Sequence, residues 1–331
     1  MALVRRYREL LLAVIIALMI GAIGLRAPVF LTRESLLGVL NDTGFLFILA
    51  LGQLLVILTR GIDLSVAANL ALTGMLTGMV NQVWPDLPAA AYLALALVIG
   101  LGLGLLNGLV IGGLGLPPIV VTLGTLAIYR GMVVVIGGGD QVNQDEMGPA
   151  FAGFPRLAFL GLSSVFWIAV IAALSVQLFL TRTRAGRGLY AVGGNPVAAR
   201  YCGIALERCQ VLVFALSGML AGLTGYLWVA RYGVAYSEVA TGYELTVIAA
   251  CVIGGVSIAG GVGTVAGTLL GALFLGVIVN ALPVMQVSPF WQMAISGAVI
   301  LAAVILNMRA EARPDKLILP EARQAAAGGL P

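Results

Sequence analysis

Ten apolar stretches set the possibilities for this chain of 331 residues. They are expected at about Leu10–Leu25, Asn41–Thr59, Asp63–Val83, Ala89–Gly112, Pro118–Ile136, Val165–Leu180, Cys209–Ala230, Tyr243–Ser257, Val262–Leu282 and Phe290–Met308. Most lie near the roughly 20 residues that a helix needs to cross the hydrocarbon core of a bilayer; the sixth and eighth are short. Lipid offers no partner to a backbone N–H or C=O, so such runs must be helices that bond internally. Only 10% of the residues are charged and 61% are hydrophobic, whereas soluble domains carry roughly 25% charge. The expected fold class is an all-α integral membrane protein of about ten transmembrane helices. Residues 1–308 form the membrane domain and 309–331 a polar tail. Arg5, Arg6 and Arg8 ahead of the first apolar run resemble the start of a signal peptide, but nine further spans favour an uncleaved first helix. The breaks at 60–62 and 257–262 are open between true loops and turns of re-entrant hairpins.

The charges orient the chain. Counted from an inside N-terminus, thirteen Lys and Arg residues fall inside and five outside. Short basic loops resist translocation, which places both termini in the cytoplasm. The loop 137–164, with Asp140, Asp145 and Glu146 against Arg156, then faces outward. The chain contains no histidine, and Cys202, Cys209 and Cys251 have no metal-type spacing, so neither catalytic residues nor a metal site is expected. The single lysine, Lys316, lies in the tail, which excludes a Walker A site for ATP. The basic residues sit at span ends and make no face for nucleic acid.

The stretch Thr181–Arg208 is the strongly basic interruption, with Arg182, Arg184, Arg187, Arg200 and Arg208 against Glu207. Asn195 is placed to cap a short helix that Pro196 opens and Gly203 ends. Such a helix between two spans suits either a grip for another protein or a surface anchor. Glycines recur four apart at Gly100, Gly104, Gly108 and Gly112, at Gly263, Gly267 and Gly271, at Gly74 and Gly78, and at Gly218 and Gly222. This spacing predicts close helix packing. The segment GVGTVA at 261–266 matches a dinucleotide fingerprint in letters alone, since no strand precedes it. Asp63, supported by Ser65, is expected to cap the third span, with gating or partner contact as its functional alternative. Asn69, Asn107, Tyr129 and Glu244, with Arg130, are candidates for a polar translocation path or for interhelical hydrogen bonds. The spans show no cluster of aromatic and paired polar residues dense enough to read as a high-affinity ligand site.

Four segments carry a resemblance: LALGQLLVILTRGIDLSVAANLALTGM, PPIVVTLGTLAIYRG, TRTRAGRGLYAVGGNPVAARYCGI and ACVIGGVSIAGGVGTVAGTLLGALFLG. They are similar to the permease subunits of ATP-binding-cassette importers for sugars, in the ribose-type branch, over about residues 10–308. The family's cytoplasmic loop pattern falls on Gly186, Arg187, Gly193, Asn195, Ala198, Ala199, Gly203 and Ile204. The resemblance implies a type II importer-like permease in a bacterial inner membrane. It also implies a second permease copy or paralogue, a cytoplasmic ATPase that holds ATP and magnesium, and a periplasmic sugar-binding protein that carries the selectivity. FILALGQLLVILTRGIDLSVAANLALTG and SPFWQMAISG look most like L-rhamnose permeases. Ribose, autoinducer-2-like sugars and branched-chain amino acids are the alternative cargoes, and a stand-alone secondary transporter is the alternative class.

Overall fold

A computed structural model describes residues 2–288 and, beyond them, residues 291, 294, 297, 298, 301 and 305. The tenth expected span, but for those isolated positions, and the whole tail lie outside the described residues. In chain order the helices are α1 (Ala2–Arg26), α2 (Arg33–Leu58), α3 (Val66–Val83), α4 (Ala89–Leu114), α5 (Pro118–Gly137), α6 (Pro149–Gly153), α7 (Ser164–Arg182), α8 (Arg184–Gly194), α9 (Pro196–Tyr201), α10 (Leu206–Tyr232), α11 (Tyr243–Ile253) and α12 (Val265–Val284). Short strands β1 (Val142–Asn143) and β4 (Val234–Ala235) pair antiparallel, as do β2 (Ala158–Phe159) and β3 (Leu162–Ser163). Among the described residues, seven helices are long and apolar enough to cross a membrane: α1, α2, α4, α5, α7, α10 and α12. The all-α membrane class stands; the count of ten is not reached among the described residues.

Local chemistry explains where two helix ends depart from expectation. Helix α2 begins at Arg33, eight residues before Asn41, because the Thr32 hydroxyl accepts from Ser35 N (3.3 Å) and Glu34 lies in the first turn. Helix α3 begins at Val66, so Asp63 does not cap it; the N-cap position is Ser65 and carries no side-chain cap bond.

Helices α2 and α10 form the core, and glycine sets how closely the others approach. Along α4 the row Gly100, Gly104, Gly108 and Gly112 lies directly on α10. A Cβ at Gly104 would collide with Phe214 O and reach Gly218 Cα at 2.7 Å, and one at Gly218 would in turn meet Gly104 N at 2.7 Å. Gly222 faces Gly100, and Gly225 of α10 faces Gly74 of α3. On the other side Gly267 and Gly271 of α12 press on Gly254 and on the Ala250 carbonyl at the end of α11. Lipid tails are as apolar as leucine, so helix association in a bilayer draws on such backbone contact.

Two irregular regions decide the architecture. Helix α11 has 11 residues, about 16 Å of rise against a core of about 30 Å. The eighth span is therefore a half-span. Residues 254–257 of the expected span are not helical, and a turn over 236–242 precedes α11. Arg130 of α5 donates to the carbonyls of Ser237 (2.9 Å) and Val239 (2.6 Å). Arg130 stands seven residues from the end of α5, about 10 Å along the helix. Non-helical backbone packed among apolar helices needs donors from protein, and Arg130 supplies them.

The second region is the break after α2. Gly61 N donates to Val56 O (3.1 Å) and Arg60 N to Ile57 O (2.9 Å), the bond pair of a Schellman ending. The left-handed slot of that motif usually holds glycine; here it holds Arg60, with φ of 67°. An L-residue pays about 1 kcal/mol for that conformation.

Candidate functional site

The basic stretch 181–208 folds into two helices rather than one. Thr183 caps α8 by accepting from Gly186 N (2.9 Å). The buried face of α8 is Gly186, Gly188, Leu189, Val192 and Gly193, while Arg184 and Arg187 are exposed. Asn195 caps α9 as expected, its Oδ1 accepting from Ala198 N (3.0 Å), with Pro196 in the first turn. Gly203, at φ of 79°, ends α9: its N–H donates to Arg200 O (3.0 Å) and that of Ile204 to Ala199 O (2.9 Å).

The small residues of the motif point inward. Ala199 is 4% exposed. A Cβ at Gly186 would strike Phe179 O, and one at Gly193 would strike Leu58 O and Gly261 N. Gly186 thus seats the loop on the end of α7, and Gly193 seats it on the end of α2 and the break before α12. Ala198, Asn195 and Gly203 stay at the surface. The outward features of α9 are Val197, 65% exposed, and Tyr201, 89% exposed. With Pro196, Arg200 and Leu206 they line a shallow cleft of about 360 Å³. The family pattern names neither Val197 nor Tyr201.

The other expected site residues lie within helix packing. Asp63 is 2% exposed; its Oδ1 accepts from Ser65 N (2.9 Å) and Oγ (2.7 Å), and its Oδ2 from Ser217 Oγ (3.2 Å). Asn107 Nδ2 donates to Ser65 Oγ (2.8 Å). Asn69 Nδ2 donates to the carbonyls of Gly100 and Gly218, each at 3.3 Å, and Tyr129 Oη to Leu103 O (2.8 Å). Asn69, Asn107 and Tyr129 thus bind helices together instead of lining an open route. Glu244, with Glu238, lies close enough to Arg130 to interact with its charge.

At the opposite end of the bundle the acidic loop makes a polar cleft of about 480 Å³ with Met75, Met79, Gln82, Asp140, Gln141, Asn143 and Glu146 in its lining. Asn81 Oδ1 accepts from Gly148 N (2.8 Å) and holds the loop onto the end of α3. Nearby, α2, α10, α11 and α12 bring Asp42, Thr43, Trp228, Tyr232, Tyr243, Thr246 and Asn280 around a second cleft of about 290 Å³. The Trp228 ring lies 5.1 Å from that of Tyr232 and 5.3 Å from that of Tyr243. The group is one of aromatic and polar side chains assembled from separate helices. Its members come from four helices up to 238 positions apart (42 to 280), so no stretch of sequence displays it.

With a permease-like bundle, a folded cytoplasmic-type loop and polar clefts at the far end in view, the relatives can be weighed. The permease component family of branched-chain amino acid transport systems matches residues 35–304. The chain belongs to that family. It is 38% identical over 291 residues to the ribose import permease protein RbsC of Escherichia coli (strain K12), covering 87% of this chain and 90% of the relative. It is 35% identical over 280 residues to the autoinducer 2 import system permease protein LsrC of Salmonella typhi, covering 85% and 80%. No solved structure matches the chain at comparable significance.

Proposed function

We propose that the chain is the permease subunit of an ATP-driven importer for a small sugar, and that α8 and α9 receive its cytoplasmic ATPase. The observation that carries this reading is the loop 181–208: two capped helices seated on the bundle by Gly186 and Gly193, with Ala199 buried and Val197 and Tyr201 presented outward. A loop built only to fix topology needs charge, not an ordered apolar face. The chain has no Walker A lysine of its own, so hydrolysis belongs to a partner, with ATP and magnesium bound there. A periplasmic binding protein and a second permease copy or paralogue complete the assembly in the inner membrane. The cargo follows from the relatives, whose names specify ribose and autoinducer 2. L-rhamnose, which two stretches of sequence suggest, belongs to the same class of small polyhydroxylated molecule, but these relatives favour the first two. The polar cleft with Gln82, Asp140, Gln141 and Asn143 at the far end offers the amide and carboxylate groups that sugar hydroxyls pair with. Deleting the gene is expected to abolish uptake of one among labelled D-ribose, L-rhamnose and autoinducer 2 while leucine uptake stays normal. Loss of leucine uptake with all three sugars unaffected would overturn the sugar reading.

A further inference from the structure

Arg60 occupies a glycine slot, and its side chain shows why. Its Nε donates to Gly193 O (2.8 Å) and its Nη2 to Gly194 O (3.1 Å). These are the last carbonyls of α8, which the helix cannot satisfy itself and which carry the negative end of its dipole. The aliphatic stem of Arg60 lies over Gly260, where a Cβ would collide with its Cγ. Gly261 N donates to Leu58 O (3.0 Å), so the break after α2, the break before α12 and the end of α8 meet at one point. From that point the chain runs straight into the buried core. Ile62 O accepts from Thr122 Oγ1 of α5 (3.2 Å). Asp63 is tied to Ser217 of α10, and Ser65 to Asn107 of α4. A displacement of α8 therefore reaches α4, α5 and α10 within five residues of Arg60.

We propose that Arg60 is a positioning residue that couples the ATPase-docking loop to the membrane helices, by clamping the C-terminal carbonyls of α8 to the joint between α2 and α3. Backbone strain persists only where surrounding contacts enforce it, and the two bonds to α8 are those contacts. The proposal rests on the reading of α8 and α9 as the docking loop.

The test uses the permease reconstituted in lipid vesicles with its ATPase and binding protein. Arg60→Gly and Arg60→Asn suit a left-handed backbone and are too short to reach α8, so they remove the clamp without straining the turn. Both should keep the ATPase bound and its basal hydrolysis unchanged. Stimulation of hydrolysis by binding protein loaded with D-ribose, L-rhamnose or autoinducer 2, whichever the wild type answers to, should fall about fivefold or more, the scale of an allosteric coupling. Arg60→Lys, able to reach one carbonyl, should restore part of it. Wild-type stimulation in Arg60→Gly would overturn the proposal. So would loss of ATPase binding, which would make Arg60 part of the docking surface, and so would failure of both variants to fold. If Tyr201→Glu leaves the ATPase bound, the docking reading itself fails, which is a separate result.

Discussion

At the scale of single residues, the loop 181–208, proposed as the docking loop, divides its side chains between foundation and face. Ala199 is buried and Gly193 lies against Leu58 and Gly261, whereas Val197 and Tyr201 are 65% and 89% exposed. Substitution should separate the two groups. Tyr201→Ala removes a large exposed ring and nothing from the interior. The permease should keep its melting temperature in detergent while its affinity for the ATPase falls at least tenfold, or about 1.4 kcal/mol, as for an aromatic anchor at an interface. Ala199→Glu places a charge and extra bulk at a buried position, which costs several kcal/mol, so stability and ATPase binding should fall together. Equal affinities for wild type and Tyr201→Ala in a pull-down titration would move the docking surface elsewhere. Asp63 belongs to this scale too. Its three hydrogen bonds to Ser65 and Ser217 make it part of the joint below α2, and the capping role that its position before an apolar run suggests is vacant.

At the scale of elements, helix spacing rests on the glycine rows. The α4–α10 pair is the clearest case, because the contacts are backbone on backbone and cannot yield by a rotamer change. A Cβ at Gly104 would lie on Phe214 O and 2.7 Å from Gly218 Cα. Gly104→Leu should therefore lower stability by roughly 1–3 kcal/mol or more, the cost of overfilling a packed interior. Gly102, two residues away on the same helix, has nothing within 4 Å. Gly102→Ala should leave the melting temperature unchanged or slightly raised, since alanine loses less chain entropy than glycine in a helix. Thermal unfolding in detergent of both variants checks the pair; a Gly104→Leu protein as stable as wild type would contradict the packing described for α4 and α10.

At the scale of the molecule, the two ends differ in kind. One end gathers the breaks after α2 and before α12 with α8, α9 and their arginines. The other holds the acidic segment 138–163, pinned by Asn81 and by the pairing of β1 with β4. The charge bias predicts that the first end is cytoplasmic. In a background free of Cys202, Cys209 and Cys251, single cysteines at Asp145 and Ala198 should react with a membrane-impermeant thiol reagent from opposite sides. Both positions are exposed, so access does not limit the reaction. Labelling of both from outside in intact cells would refute the orientation.

Much of this protein is determined by its sequence alone. Apolar length identifies α1, α4, α5, α7, α10 and α12, and local groups set several ends: glycines in left-handed conformation close α4 and α5 at Gly115 and Gly138, and Asn195, Pro196 and Gly203 bound α9. These signals are legible because each is settled within a turn or two of chain. Tertiary structure decided the rest. It made α11 a half-span by giving the carbonyls of Ser237 and Val239 a donor in Arg130, over a hundred residues away. It turned Asp63 from a cap into a link, pointed Ala199 inward, and gave Arg60 the end of α8 to hold. Each outcome depends on which distant group meets a backbone or carboxylate oxygen that cannot stay unpaired in a dry interior, and linear order does not say which group that is.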